Sequence, residues 1–209
     1  MQTTNNSVAL LSSAYFPPVQ WMQKLHRYGK AVIERNDNFC KQTFRNRCRI
    51  ATANGVQALT VPIERYEGAK CPMRDIRISD HGEWRHLHWN AIVSAYGESP
   101  FFDYYADDLR PFFERKWQFL FDFNMEIVLK LCELLDVRPD IAITDSYADV
   151  ADIGADDFRD AIRPKHPMPD PEFEPQPYYQ VYASRHGFLP NMSSLDLLCN
   201  EGPEGIFYL

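Results

Sequence analysis

Two adjacent prolines, set between a short apolar run and a helical pattern, restrict this chain's opening more than any other feature. Val8-Ala9-Leu10-Leu11 reads as a buried strand. Ser12-Ser13-Ala14-Tyr15-Phe16-Pro17-Pro18 ends it, because proline cannot continue a hydrogen-bonded ladder, while Pro18 suits the first turn of a helix. Val19, Met22, Leu25 and His26 follow helical spacing up to Gly29, a natural stop, and Ala31-Val32-Ile33 reads as a second strand. Strand, loop, helix and strand within about 30 residues is the span of a βαβ unit, which requires parallel strands. The fold class that follows is α/β, a mixed sheet with an N-terminal βαβ unit.

A β-hairpin comes next. Phe44-Arg45-Asn46-Arg47-Cys48-Arg49-Ile50 leads through Ala53-Asn54-Gly55 into Gln57-Ala58-Leu59-Thr60-Val61-Pro62. Asn-Gly between alternating runs predicts a type I′ turn, since both residues tolerate positive φ. A regular strand would put Arg45, Arg47 and Arg49 on one face, with Asn46 and Cys48 on the other. Three guanidiniums on one face of a net-acidic chain point to an anion to be held. The competing reading is a solvated face with carboxylate partners.

The middle of the chain is helical. Glu83 to Tyr96 carries apolar residues on two stripes, which predicts burial on more than one face. Phe101 to Phe113 and Trp117 to Leu135 are further helical stretches. Ile76 and Ile78 mark a short strand, and Ile141-Ala142-Ile143 a late one ending at Thr144-Asp145-Ser146. Between 164 and 177 six prolines exclude helix or central strand, so this stretch reads as an extended connection. It leads to a C-terminal segment packed on the same domain, and residues 1–209 read as one domain. At 209 residues the chain can bury a substantial core.

The formal net charge of −7 argues against bulk nucleic-acid binding. No apolar run reaches the length of a membrane span, and residues 1–7 lack the pattern of a signal peptide. Five cysteines, spread without a Cys-x-x-Cys pair, fit a reduced, cytoplasmic protein without disulfides. His86 and His88 are two apart, whereas a helical metal pair wants four, so no metal and no cofactor is expected. His88 reads as a hydrogen-bonded core residue and Cys48 as a buried structural thiol. His186, in a loop-rich region beside Gly187, is the better acid–base candidate. Ser193 and Ser194 before Asp196 form the pattern of a helix cap with a first-turn carboxylate.

Taken in order, these segments resemble the WbqC-like family, associated with bacterial surface-polysaccharide (O-antigen) biosynthesis. The carrying pieces are Ala14-Tyr15-Phe16-Pro17-Pro18-Val19-Gln20-Trp21, the Arg45-Asn46-Arg47 strand with Leu59-Thr60-Val61-Pro62, and Ser99-Pro100-Phe101-Phe102. They also include Tyr179-Gln180-Val181 and Phe188-Leu189-Pro190-Asn191-Met192-Ser193-Ser194-Leu195-Asp196. The resemblance implies a transferase acting on a nucleotide-linked (amino) sugar, with Arg45 and Arg47 on its phosphate. Ser13, Tyr15, Asn46, Gln180, Asn191 and Ser194 would complete the substrate site, with His186 and Asp196 as catalytic residues. Many relatives carry Gln-Pro before the aromatic turn and Gly-Tyr-Phe after it, where this chain has Ser13-Ala14 and Gln20-Trp21-Met22. These departures bear on activity. They keep open a non-catalytic module that binds a nucleotide sugar or a partner, beside a nucleotidyltransferase-like enzyme built on the strand–turn–helix.

Overall fold

The computed structural model describes residues 7–209. The reading that no leader precedes the fold therefore lies almost wholly outside the described residues. The opening apolar run forms β1 (Val8–Ser12), and the proline turn delivers the chain into α1 (Val19–Arg27). β2 (Lys30–Glu34) returns parallel to β1, with Val8 opposite Lys30 and Ser12 opposite Glu34. α1 buries Val19, Met22 and Leu25, each contributing roughly 1.5–3 kcal/mol of apolar burial.

β3 (Arg47–Thr52) and β4 (Gly55–Thr60) form the hairpin as a two-stranded sheet of its own. The turn differs from expectation. Among the described residues only Gly55 of this turn has positive φ, 95°, so a type I′ turn, which needs two such residues, is excluded. Ala53 and Asn54 turn the chain, and Gly55 takes the left-handed step after them. The strand also starts later than expected: Phe44, Arg45 and Asn46 lie in the preceding turn. Arg45 is therefore not part of the strand's arginine face.

The predicted strand at Ile76 and Ile78 is instead a three-ten turn, Met73–Asp75, followed by isolated bridges Ile63–Ile78 and Arg77–Phe119. α2 (Trp84–Tyr96) buries one stripe, Trp84, His88, Ile92, Ala95 and Tyr96, while Leu87 and Val93 are exposed. The helix packs against β3 and against the segments Pro111–Glu114 and Ser194–Glu201, and Trp89 and Ala91 beside the stripe are partly buried. The burial is therefore broad but leaves the Leu87 and Val93 side in solvent. Pro111 divides the next stretch into α3 (Phe102–Leu109) and α4 (Pro111–Glu114), and α5 (Leu120–Leu134) follows.

β5 (Ile141–Ile143) joins outside β2. After the short α6 (Val150–Ile153), β6 (Ala155–Asp157) pairs with the free side of β1. The four-stranded sheet is parallel throughout, in the order β5-β2-β1-β6. β6 was not foreseen, because Ala-Asp-Asp carries no apolar alternation. The proline-rich stretch is extended and lies on α1, where buried Lys24 pairs with Asp170 at 2.9 Å. α7 (Ala183–His186) and α8 (Ser194–Glu201) complete the chain before a last three-ten turn, Gly202–Tyr208.

Candidate functional site

The three signature segments meet through their backbones. Tyr15 N donates to Phe44 O at 2.9 Å, which joins the aromatic turn to the residues before β3. Ser194 N donates to Pro17 O and Ser193 N to Arg49 O, both at 2.8 Å, so the C-terminal segment bonds to turn and strand alike. Tyr15 and Phe16 enter an aromatic cluster, with Tyr15 stacked on Phe123 and Phe16 on Phe113 at centroid distances of 5.7 and 6.0 Å. Phe16 holds a left-handed φ of 39°, a conformation that surrounding packing must impose on a non-glycine residue.

This junction is closed. In open α/β sheets the loop after a strand and the following helix N-terminus form the usual anion seat. Here Val19 N donates to Met192 O and Gln20 N to Asn191 Oδ1, each at 3.0 Å. Asn191 Nδ2 returns a bond to Gln20 Oε1, and Asn191 adopts φ of 53° to do so. The chain thus caps its own first helix from 171 residues away. Ser13 and Tyr15 are buried beneath. Tyr15 Oη lies 2.9 Å from His88 Nδ1, and the His88 ring also hydrogen-bonds the Thr60 backbone. Burial lowers the His88 pKa to about 4, so the imidazole is neutral and Tyr15 donates to it.

The carboxyl edge of the sheet holds a second polar cluster, most of which the sequence did not announce. Arg45 donates to Asp37 Oδ2 from Nε at 3.0 Å and from Nη2 at 2.5 Å, and to Ser12 Oγ at 2.7 Å. Burial raises the Asp37 pKa, opposed by the Arg45 charge. Glu34, fully buried at the end of β2, accepts from Thr144 Oγ1 at 2.6 Å and from Ala148 N at 2.7 Å. Arg159, just past β6, bonds both Asp157 oxygens and the Ala148 carbonyl. The cluster lies past the carboxyl ends of β1, β2 and β6, the edge at which open α/β sheets bind ligands. The cavity there, lined by Ser12, Ser13, Arg45 and Arg159 among others, measures about 10 Å³. That is room for one water. The strand-end rule would have pointed to Glu34 and Thr144; Asp37 and Arg159 carry no such signal.

The C-terminal candidates form a third cluster. Asp196 is fully buried and accepts from Tyr178 Oη and Gln180 Nε2, both at 2.7 Å on Oδ2. Burial pushes its pKa up to about 6, against the lowering effect of hydrogen bonds from Tyr178, Gln180 and Tyr96. Gln180 also exchanges two hydrogen bonds with the Leu189 backbone, which ties the 178–189 stretch to α8. Ser193 caps α8 by accepting from Leu195 N, and Ser194 is buried beside it. Asn46 donates to Val61 O across the hairpin base.

One part of the signature remains open. Arg47 and Arg49 are half-buried on one face of β3, alternating with fully buried Cys48 and Ile50. Strand geometry sets their Cα atoms about 6.6 Å apart. Arg47 Nε donates to Thr60 Oγ1 at 2.9 Å, and neither arginine has a carboxylate within ion-pair distance among the described residues. Desolvation lowers the Arg49 pKa, as expected of a cation without a counter-charge. His186 is exposed, with Nε2 3.0 Å from Ala53 O at the hairpin turn. Among the described residues, no three His, Cys, Asp or Glu side chains converge as metal ligands. None of the helices there is long and apolar enough to cross a membrane.

An α/β protein with a self-capped first helix and an open arginine pair on its hairpin is the class that these features define. The chain belongs to the WbqC-like protein family, whose pattern matches residues 12–160. It is similar to Uncharacterized protein Rv1507c of Mycobacterium tuberculosis, 25% identical over 228 residues that span 97% of this chain and 96% of that protein. No solved structure matches the chain significantly.

Proposed function

We propose that the protein binds the phosphate of a nucleotide-linked amino sugar on the open face of β3 and acts as a transferase in bacterial surface-polysaccharide biosynthesis. The observation that carries this reading is the pair of guanidiniums of Arg47 and Arg49, adjacent on one face and without carboxylate partners. Half-buried arginine is a strong phosphate ligand because its fork matches two oxygens and its charge is only partly screened. His186 is the exposed acid–base group nearest in topology, at the turn four residues beyond Arg49, roughly 13 Å away by strand rise. Cytoplasmic nucleotide sugars would be the donors, and the five free cysteines suit that compartment. Arg45, already held by Asp37, has the smaller part in this scheme and positions the turn before β3.

A second reading, a non-catalytic module on the same face, is favoured by one observation. Asp196 is buried, as are the substrate-site candidates Tyr15, Gln180 and Ser194, which leaves His186 as the one of the two catalytic candidates in reach of a ligand. The nucleotidyltransferase-like alternative loses support because the α1 N-terminus that it needs is capped by Met192 and Asn191. Incubation with nucleotide amino sugars and a range of hydroxyl-bearing sugar acceptors separates the first two, because attack of an acceptor hydroxyl on the anomeric carbon breaks the bond to phosphate and frees the nucleotide. Release of free nucleotide, lost in His186→Ala, supports the transferase. Tight binding without any release supports the module.

A further inference from the structure

A large cleft among the described residues has walls that include neither Arg47 nor Arg49. It measures about 1020 Å³ and is walled by Lys41 and the loop through Glu64, Arg65, Tyr66 and Glu67. The loop is fixed at both ends. Glu64 N donates to Arg77 O beside the Ile63–Ile78 bridge, and Phe39 N donates to Cys71 O at 2.9 Å. Gly68, at φ of 82°, supplies the reversal that lets the wall curve. Tyr66 is half-buried against the hydrophobic core, so its ring is a fixed surface rather than a swinging side chain. Among the described residues, Lys41, Glu64, Arg65 and Glu67 make no side-chain hydrogen bond or ion pair.

Two cations and two carboxylates without partners leave these walls with no net charge, so a polyanion gains no overall attraction there. A hydroxyl, by contrast, both donates and accepts, and can use either sign in a charge-assisted bond. A fixed aromatic ring adds an apolar platform for the C–H face of a sugar ring. The volume exceeds what a single small ligand fills. We infer that this cleft binds a neutral oligosaccharide. If the protein is the transferase proposed above, this is the seat of the acceptor glycan; the binding itself does not depend on that reading.

The test is binding of the full-length protein to an array of neutral hexose and N-acetylhexosamine oligosaccharides, followed by titration of the best probe. The wild type is expected to bind, and Tyr66→Ala to weaken binding at least tenfold. Glu64→Gln/Glu67→Gln, confined to exposed groups, should weaken it as well, so the outcome does not rest on one partly packed residue. UDP-N-acetylglucosamine affinity should be unchanged in both variants. Absence of wild-type binding to every array glycan overturns the inference, as does glycan binding indifferent to all these substitutions. Glycan binding that survives while no nucleotide sugar binds defeats the transferase reading and leaves the cleft assignment standing.

Discussion

Asp196 shows how a residue that carries the resemblance can lie buried, out of reach of a ligand at the surface. Its carboxyl is fully buried without a cation, and its pKa rises from an ordinary value near 4 to about 6. The folded state therefore holds the proton more tightly than the unfolded chain does. Stability contributed by the protonated form is present below pH 4 and is lost as pH rises through 6. The cost at neutral pH is on the order of 3 kcal/mol. Asp196→Asn keeps an acceptor for Tyr178 and Gln180 without the charge. It should melt higher than the wild type at pH 7.5, with the gap closing towards pH 4.5 in a series of thermal melts. A lower melting temperature across that range would mean that the ionised carboxylate is a net asset. Asn191 is a structural residue of another kind. Asn191→Ala removes the cap on Gln20 N, and urea denaturation should show a loss of about 1 kcal/mol, up to about 2.

Among the elements, the proline-rich strap is held ionically. Lys24 is 1% exposed on α1 and pairs with Asp170 and, at 3.5 Å, with Glu172, while Gln20 Nε2 donates to Asp170 Oδ2 at 2.9 Å. Breaking a buried pair by removing one partner costs roughly 3–5 kcal/mol, because the other charge is stranded. Asp170→Ala should fall near the lower end, since Glu172 remains, and Lys24→Met in the same chain should restore most of the loss. A double-mutant cycle with no such rescue would contradict the pairing. The sequence showed that this stretch was extended but not what it covered, because its partner on α1 is a lysine at a position that reads as solvated. The βαβ unit, by contrast, was legible, since its strands are short apolar runs and its turn contains two prolines. The hairpin was legible in place but not in detail. Periodicity alone cannot tell where a strand begins, and Arg45 was assigned to a pleat it does not enter.

At the scale of the whole molecule, the segments that carry the resemblance in the sequence are those that hold the fold together. The turn after β1, the residues before β3 and the Met192–Ser194 segment are joined by backbone hydrogen bonds, and little space is left between them. Their residues could be picked from the sequence as a constellation. Whether they would form a pocket or a joint depended on tertiary contacts between positions more than 140 residues apart, such as Ser12 with Arg159. The alternation of Arg47 with Cys48 and Arg49 with Ile50 was visible from the start, and that alternation is what leaves two cations facing outward. The central claim is that this pair holds phosphate. Isothermal titration of UDP-N-acetylglucosamine into the wild type and into Arg47→Ala/Arg49→Ala tests it, with circular dichroism to check that the fold is retained. Each lost charge-assisted contact should cost about 1.5–3 kcal/mol, so the folded double variant should bind at least a hundredfold more weakly. Equal affinity in the two proteins would contradict the claim.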